Sequence, residues 1–162
     1  MLDILKERRS IRKYTDKEVE EEKIKKILTA GAMAPSGKNK KPWEFLVVER
    51  PVNEKLSSVK PRGGLFLKDT PVSIVVVGNE EKSDTWVEDC SIASTFMQLE
   101  AQNQGLGSCW VQIKGRFTAE ERDAEEAVRE ILGLSSEKRV LCVLSLGYPG
   151  ESRPAYKEED YN

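Results

Sequence analysis

Two stretches of this chain leave its fold little freedom: VSIVVVG, Val72 to Gly78, and RVLCVLSLG, Arg139 to Gly147. The first is dense in β-branched residues, which suit a pleated surface, the second is apolar almost throughout, and neither alternates with polar residues as a half-exposed strand does. Each is expected to be a strand buried within a sheet, the first of them central. WEFLVVE, Trp43 to Glu49, and SCWVQI, Ser108 to Ile113, read as further strands.

Helical periodicity fills the intervals. Leu2, Ile4 and Leu5 allow a short helix from Leu2 to Arg8, ending near Ser10. Ile24, Ile27, Leu28 and Gly31 share a face of a helix expected over Val19 to Ala34 and stopped by Pro35. A short helix is expected over Val52 to Val59, and the longest over Thr85 to Gln104, where Cys90, Ala93, Phe96, Met97 and Ala101 form a broad apolar face ended by Gly105. A polar helix over Ala119 to Leu132, closed by Gly133, and an extended tail after Gly147 complete the reading. At 162 residues and 38% hydrophobic content, one domain spanning 1–162 has enough apolar material for its core.

Charge and residue counts narrow the chemistry. With 26 Lys and Arg against 28 Asp and Glu, the chain lacks the basic excess of a nucleic-acid binder, so any anion site must be local. The three cysteines, Cys90, Cys109 and Cys142, have no CxxC spacing, which indicates neither a disulfide framework nor a zinc site. A reduced, cytoplasmic setting is expected, since no apolar run approaches the ~18 residues of a membrane helix. There is no histidine, which removes His-dependent triads and the usual general base near neutral pH. No glycine-rich strand-to-helix turn of the GxGxxG or GxxxxGK type is present, and GLGSCW runs from helix to strand, the wrong direction for a Rossmann phosphate loop.

Two segments carry candidate chemistry. In KERRSIRKY, Lys6 to Tyr14, the residues Arg8, Arg9, Ser10 and Arg12 supply guanidinium forks and a hydroxyl, the donors that a phosphate monoester takes. The competing reading is a solvated basic helix end that compensates the helix dipole. In APSGKNKKPWEF, Gly37 permits unusual backbone angles while Ser36 and Asn39 add short polar side chains, so the loop could grip a flat polar ligand or simply turn from helix to strand.

Taken in order, RRSIRKY, APSGKNKKPWEF, a long helix containing Asp89, GLGSCWV, and LGYP near the end resemble the nitroreductase family of flavoproteins, in register along most of the chain. The resemblance implies an α+β fold with a central, mostly antiparallel sheet of four or five strands flanked by helices, in an intertwined homodimer. It implies FMN as cofactor, with Arg8, Arg9, Ser10 and Arg12 at its phosphate and the polar edge of its ring. Pro35, Ser36, Gly37 and Asn39 would reach FMN from the second subunit, leaving each chain with half a site. Cys109, Trp110, Val111 and Gln112 would run beneath the ring and meet it through backbone groups, with Cys109 a small buried residue and not a nucleophile.

The chain departs from the family pattern where a usual Asn-x-Gln-Pro-Trp reads NKKPW, so that Lys41 replaces a neutral amide and a cation near the flavin would raise its potential. It is also short, so insertions over the substrate side are reduced, and Arg153 stands in a loosely matched tail where basic residues often face the phosphate. The implied activity is ping-pong transfer from NADH or NADPH through FMN to a nitroaromatic, a quinone or a similar acceptor. The rival readings are a flavin-binding or flavin-handling protein with little turnover, and an anion-binding module without flavin. Trp43, Phe45 and Trp110 are expected in core or interface positions, and Asp89 is expected to be structural.

Overall fold

A computed structural model of the protein describes residues 1–161. The chain runs α1 (Leu2–Glu7), α2 (Glu21–Ala32), β1 (Trp43–Glu49), α3 (Arg50–Val59), β2 (Val72–Gly78), α4 (Trp86–Asn103), β3 (Gly107–Gln112), α5 (Ala124–Leu132) and β4 (Arg139–Gly147). The four strands form one sheet in the order β1-β2-β4-β3, with every neighbouring pair antiparallel. The two apolar runs are its inner strands, and both are covered on both faces.

Alternation along those inner strands sorts two cores. Val72, Ile74 and Val76 of β2 and Cys142, Leu144 and Leu146 of β4 meet Ile27 of α2 and Cys90, Met97 and Ala101 of α4. Val75 and Val77 of β2 and Val140 and Val143 of β4 meet Leu56 and Val59 of α3 and Ala127 and Val128 of α5. Period-two side chains thus require a helical layer on each side, which is why continuous apolar runs specify three layers. One bulge interrupts the ladder: Val76 faces Cys142 but Val77 faces Val140, leaving Leu141 as the extra residue. The Leu141 carbonyl accepts from Ile113 and Lys114, which turns the chain off the end of β3.

Some boundaries differ from those expected. The polar helix starts at Ala124 and not Ala119, because the Asp123 carboxylate accepts the Glu126 N–H at 3.0 Å and caps the helix there. The preceding residues form a tight turn in which Glu121 adopts a φ of 61°. The second helix begins at Glu21, two residues after Val19, and the first ends at Glu7. The tail, expected to be extended throughout, makes a short 3-10 turn at Glu158–Asp160.

After α1 the chain passes along the outer edge of β3. Ser10 bridges Ser108 in parallel, and the Ile11 N–H donates to the Ser108 carbonyl at 3.0 Å. Gly107 permits this approach, since a Cβ there would stand 2.8 Å from Ile11. Tyr14 fixes the far end of the crossing, its hydroxyl 2.6 Å from both the Ile11 carbonyl and Ser145 Oγ. Burial raises the pKa of that phenol, so it stays a neutral hydrogen-bonding group.

Candidate functional site

The candidate residues gather at two places on opposite edges of the sheet. At the β3 edge the crossing segment brings Arg8, Ser10 and Arg12 to Cys109. The Cys109 thiol is pushed up by burial, and the charge of Arg12, the hydroxyl of Ser10 and the charge of Arg8 each pull the other way. Arg8 is half-buried and Arg12 exposed, and among the described residues neither guanidinium enters a salt bridge.

Arg9 and Arg153 sit differently. Arg9 turns toward the carboxyl-terminal tail, where its guanidinium stacks 4.4 Å from the centre of the Tyr156 ring and donates to the Pro154 carbonyl. Arg153 pairs with Glu151 at 3.5 Å. Glu151 in turn accepts the backbone N–H groups of Arg12 at 2.7 Å and Lys13 at 3.2 Å, so the tail holds the basic segment in place. The Arg12 N–H is the main reason that the Glu151 carboxyl lies below its ordinary range, aided by the charge of Arg153.

β3 itself offers backbone. It is an edge strand, and the Ser108 carbonyl already faces outward to Ile11. Two-residue alternation in an antiparallel pair therefore turns the N–H and C=O of Trp110 and Gln112 outward as well. Their side chains are engaged with each other and with the chain: Trp110 Nε1 donates to Gln112 Oε1 at 2.9 Å, and Gln112 Nε2 donates to the Lys114 carbonyl at 2.9 Å. Val111 is buried in the second core. Trp43 and Phe45 stack with ring centres 6.1 Å apart and pack against the first core.

The loop from Pro35 to Lys41 lies at the β1 edge. It makes a 3-10 turn over Gly37–Asn39, and Lys38, Asn39 and Lys41 all have positive φ, at 52°, 54° and 47°. Three non-glycine residues in that region are costly and must be imposed by surrounding contacts. The contacts are specific: the Gly37 N–H donates to Asp89 Oδ1 at 2.8 Å, the Lys41 N–H to Ser36 Oγ at 2.9 Å, and Lys82 Nζ to the Lys41 carbonyl at 2.9 Å. Pro35 is exposed, Ser36 half-buried and Asn39 exposed. β1 and β3 are the two borders of the sheet, and among the described residues no hydrogen bond or salt bridge joins this loop to the arginine segment.

Sequence reasoning passed over Lys60 and Arg116. Lys60 is half-buried at the end of α3, and its pKa is lowered by burial and then by the charge of Arg116, with Cys109 opposing. Lys60 thus lies within electrostatic range of Arg116 and of Cys109. The place of the two cations in VKPRGG and IKGRF, just past an apolar helix and strand, was the only signal available.

These features define an α+β protein carrying two candidate clusters, one cationic and one a strained polar loop. The profile described as "Nitroreductase family" matches residues 5–63 and 52–148. An FMN-dependent nitroreductase from Clostridium difficile R20291 is 44% identical to this chain, with a TM-score of 0.96 over 100% of this chain and 95% of that one. A Methanothermobacter thermautotrophicus protein, provisionally named an NADH dehydrogenase/NAD(P)H nitroreductase, is 41% identical across 94% of this chain and 78% of its own length. A Desulfovibrio desulfuricans structure solved in complex with FMN is 26% identical, covers 99% of this chain and 94% of its own, and has a TM-score of 0.80. The chain belongs to the nitroreductase family. No helix among the described residues is long and apolar enough to cross a membrane.

Proposed function

We propose that the protein is a single-domain FMN-dependent oxidoreductase, spanning 1–162 and working as a homodimer with two FMN sites at the interface. Reduced nicotinamide, NADH or NADPH, is the hydride donor, and nitroaromatics, quinones or similar electron-poor molecules are the acceptors, in a ping-pong sequence within the cytoplasm. The observation that carries this reading is the pair of guanidiniums, Arg8 and Arg12, that enter no salt bridge among the described residues and are set with Ser10 beside an edge strand whose backbone faces outward.

The donor set fits the cofactor. Arg8, Ser10 and Arg12 offer charge-assisted hydrogen bonds to a phosphate monoester without first giving up a carboxylate partner. Arg9 and Arg153 would support the same group from the tail. The outward groups of Trp110 and Gln112, next to Cys109 and Val111, would orient a flat polar ring. FMN, when bound, supplies the two-electron chemistry, which explains how a chain without histidine serves an oxidoreductase.

The loop Pro35, Ser36, Gly37 and Asn39 would complete the site of the partner subunit, because it stands at the far border of its own sheet. Unpartnered apolar surface supports the dimer: Ile92 and Phe96 on α4 are 38% and 40% exposed, and Leu2 on α1 is 69% exposed. The test is the visible spectrum of the purified protein, identification of the released flavin, and rapid mixing with NADH and NADPH. Yellow protein bleached by either nucleotide and reoxidised by a quinone is the expected result. Bound flavin that neither nucleotide reduces would leave a flavin-binding protein, and colourless protein that takes up no FMN would end the proposal.

A further inference from the structure

The shape of the Pro35–Lys41 loop is set from outside the loop, by a buried carboxylate. Asp89, on the first turn of α4, is 3% exposed and enters no salt bridge among the described residues. Its Oδ1 accepts the Gly37 N–H at 2.8 Å, and its Oδ2 accepts Ser83 Oγ at 3.1 Å and Thr85 Oγ1 at 3.2 Å. A buried charge without a counter-ion persists only where donors converge on it, and the amino end of α4 adds its dipole. Of these three donors only the Gly37 N–H belongs to the loop, next to the run of positive-φ residues.

The contact is also tight. A Cβ at Gly37 would stand 2.6 Å from Thr85 Oγ1, so a side chain there displaces either the loop or the Thr85 hydroxyl that Asp89 Oδ2 accepts. Asp89 is more than 50 positions from Gly37 in sequence and is anchored in α4, the longest helix, whose inner face is part of the first core. The loop is thereby referenced to the rigid centre of its own protomer.

We infer that Asp89 is a positioning residue for the FMN site of the partner subunit, acting through the Gly37 backbone. The inference rests on the shared-site reading above. Losing one charge-assisted hydrogen bond to the loop should weaken FMN binding about tenfold or more. Asp89→Asn keeps the volume and removes the charge, while Gly37→Ala disturbs the same contact from the other side and carries the test if Asp89→Asn does not fold.

FMN titration of tagged, purified heterodimers separates the possibilities, with Asn39→Ala as the control. A heterodimer of Arg8→Ala with Asp89→Asn should retain one FMN site of wild-type affinity, because both defects fall on the same site. The double variant paired with a wild-type chain should retain none, because each site then carries one defect. Gly37→Ala should give the same pattern. A purely structural defect would weaken both sites irrespective of which chain carries it. If Asp89→Asn and Gly37→Ala bound FMN like wild type while Asn39→Ala bound it more weakly, the inference would fall and the shared-site reading would stand. Wild-type affinity for all three would overturn both.

Discussion

The arginine segment makes a quantitative demand that two flavins can test. Riboflavin shares the ring of FMN and lacks its phosphate, so the affinity difference between them isolates what Arg8, Ser10 and Arg12 contribute. Neither guanidinium has a salt-bridge partner among the described residues, so truncation frees no carboxylate that could compensate. A charge-assisted hydrogen bond contributes about 1.5 to 3 kcal/mol, and half-buried Arg8 belongs in that range. Arg12 is exposed, where water and salt screen it, so its share is set at about 1 kcal/mol. Together they give about 2.5 to 4 kcal/mol, or roughly two to three decades in affinity. Apoprotein titrated with each flavin, followed by fluorescence quenching at low and high salt, measures this directly. The Arg8→Ala, Arg12→Ala double variant should lose most of the preference for FMN by weakening FMN alone, and riboflavin affinity should hold. If the double variant kept the wild-type preference, the phosphate would have to lie elsewhere, with Lys60 and Arg116 the next cations to replace.

Three further outcomes are expected. Cys109→Ala should keep bound flavin and most nicotinamide-dependent turnover, since the thiol is held up by burial and only the strand backbone is needed; loss of turnover with flavin retained would show a chemical role. Glu125, which is 4% exposed, accepts from Arg139 Nε, Arg139 Nη2 and the Val140 N–H, each at 3.0 Å. Its replacement by Ala strands a buried N–H, while Arg139 keeps Glu80, so urea unfolding should show a loss of about 2 to 3 kcal/mol with an unchanged slope. The Glu151 carboxyl titrates below its ordinary 4.5, so its contribution to stability is complete above that pH and fades as pH falls through the lower folded-state value. The stability gap between wild type and Glu151→Gln should be constant from about pH 7 to pH 5 and close in acid; a gap that widened in acid would reverse the assignment.

The layered fold was readable because β2 and β4 are apolar at nearly every position, a pattern that only strands covered on both faces show. The start of α5 was not, because Glu120 and Glu121 favour a helix locally and only the Asp123 side chain decides where the first turn begins. The two candidate segments were visible as motifs, yet their placement at opposite borders of the sheet depends on strand order, which no local pattern encodes. The different surroundings of Arg8 and Arg9 were equally hidden. Arg9 turns away because Pro154 and Tyr156, 145 positions and more along the chain, supply a carbonyl and a ring. Asp89 could be read as structural from its place on an apolar helix, but its hold on Gly37 required the folded loop.

The cysteines have a practical consequence. All three are buried, and burial pushes Cys90 up to about 12 and raises Cys109 and Cys142 as well. Peroxides and alkylating agents attack thiolates, and at neutral pH this chain presents almost none. A preparation of the protein should therefore tolerate air, storage without reductant and maleimide labelling of an added surface cysteine at a single position.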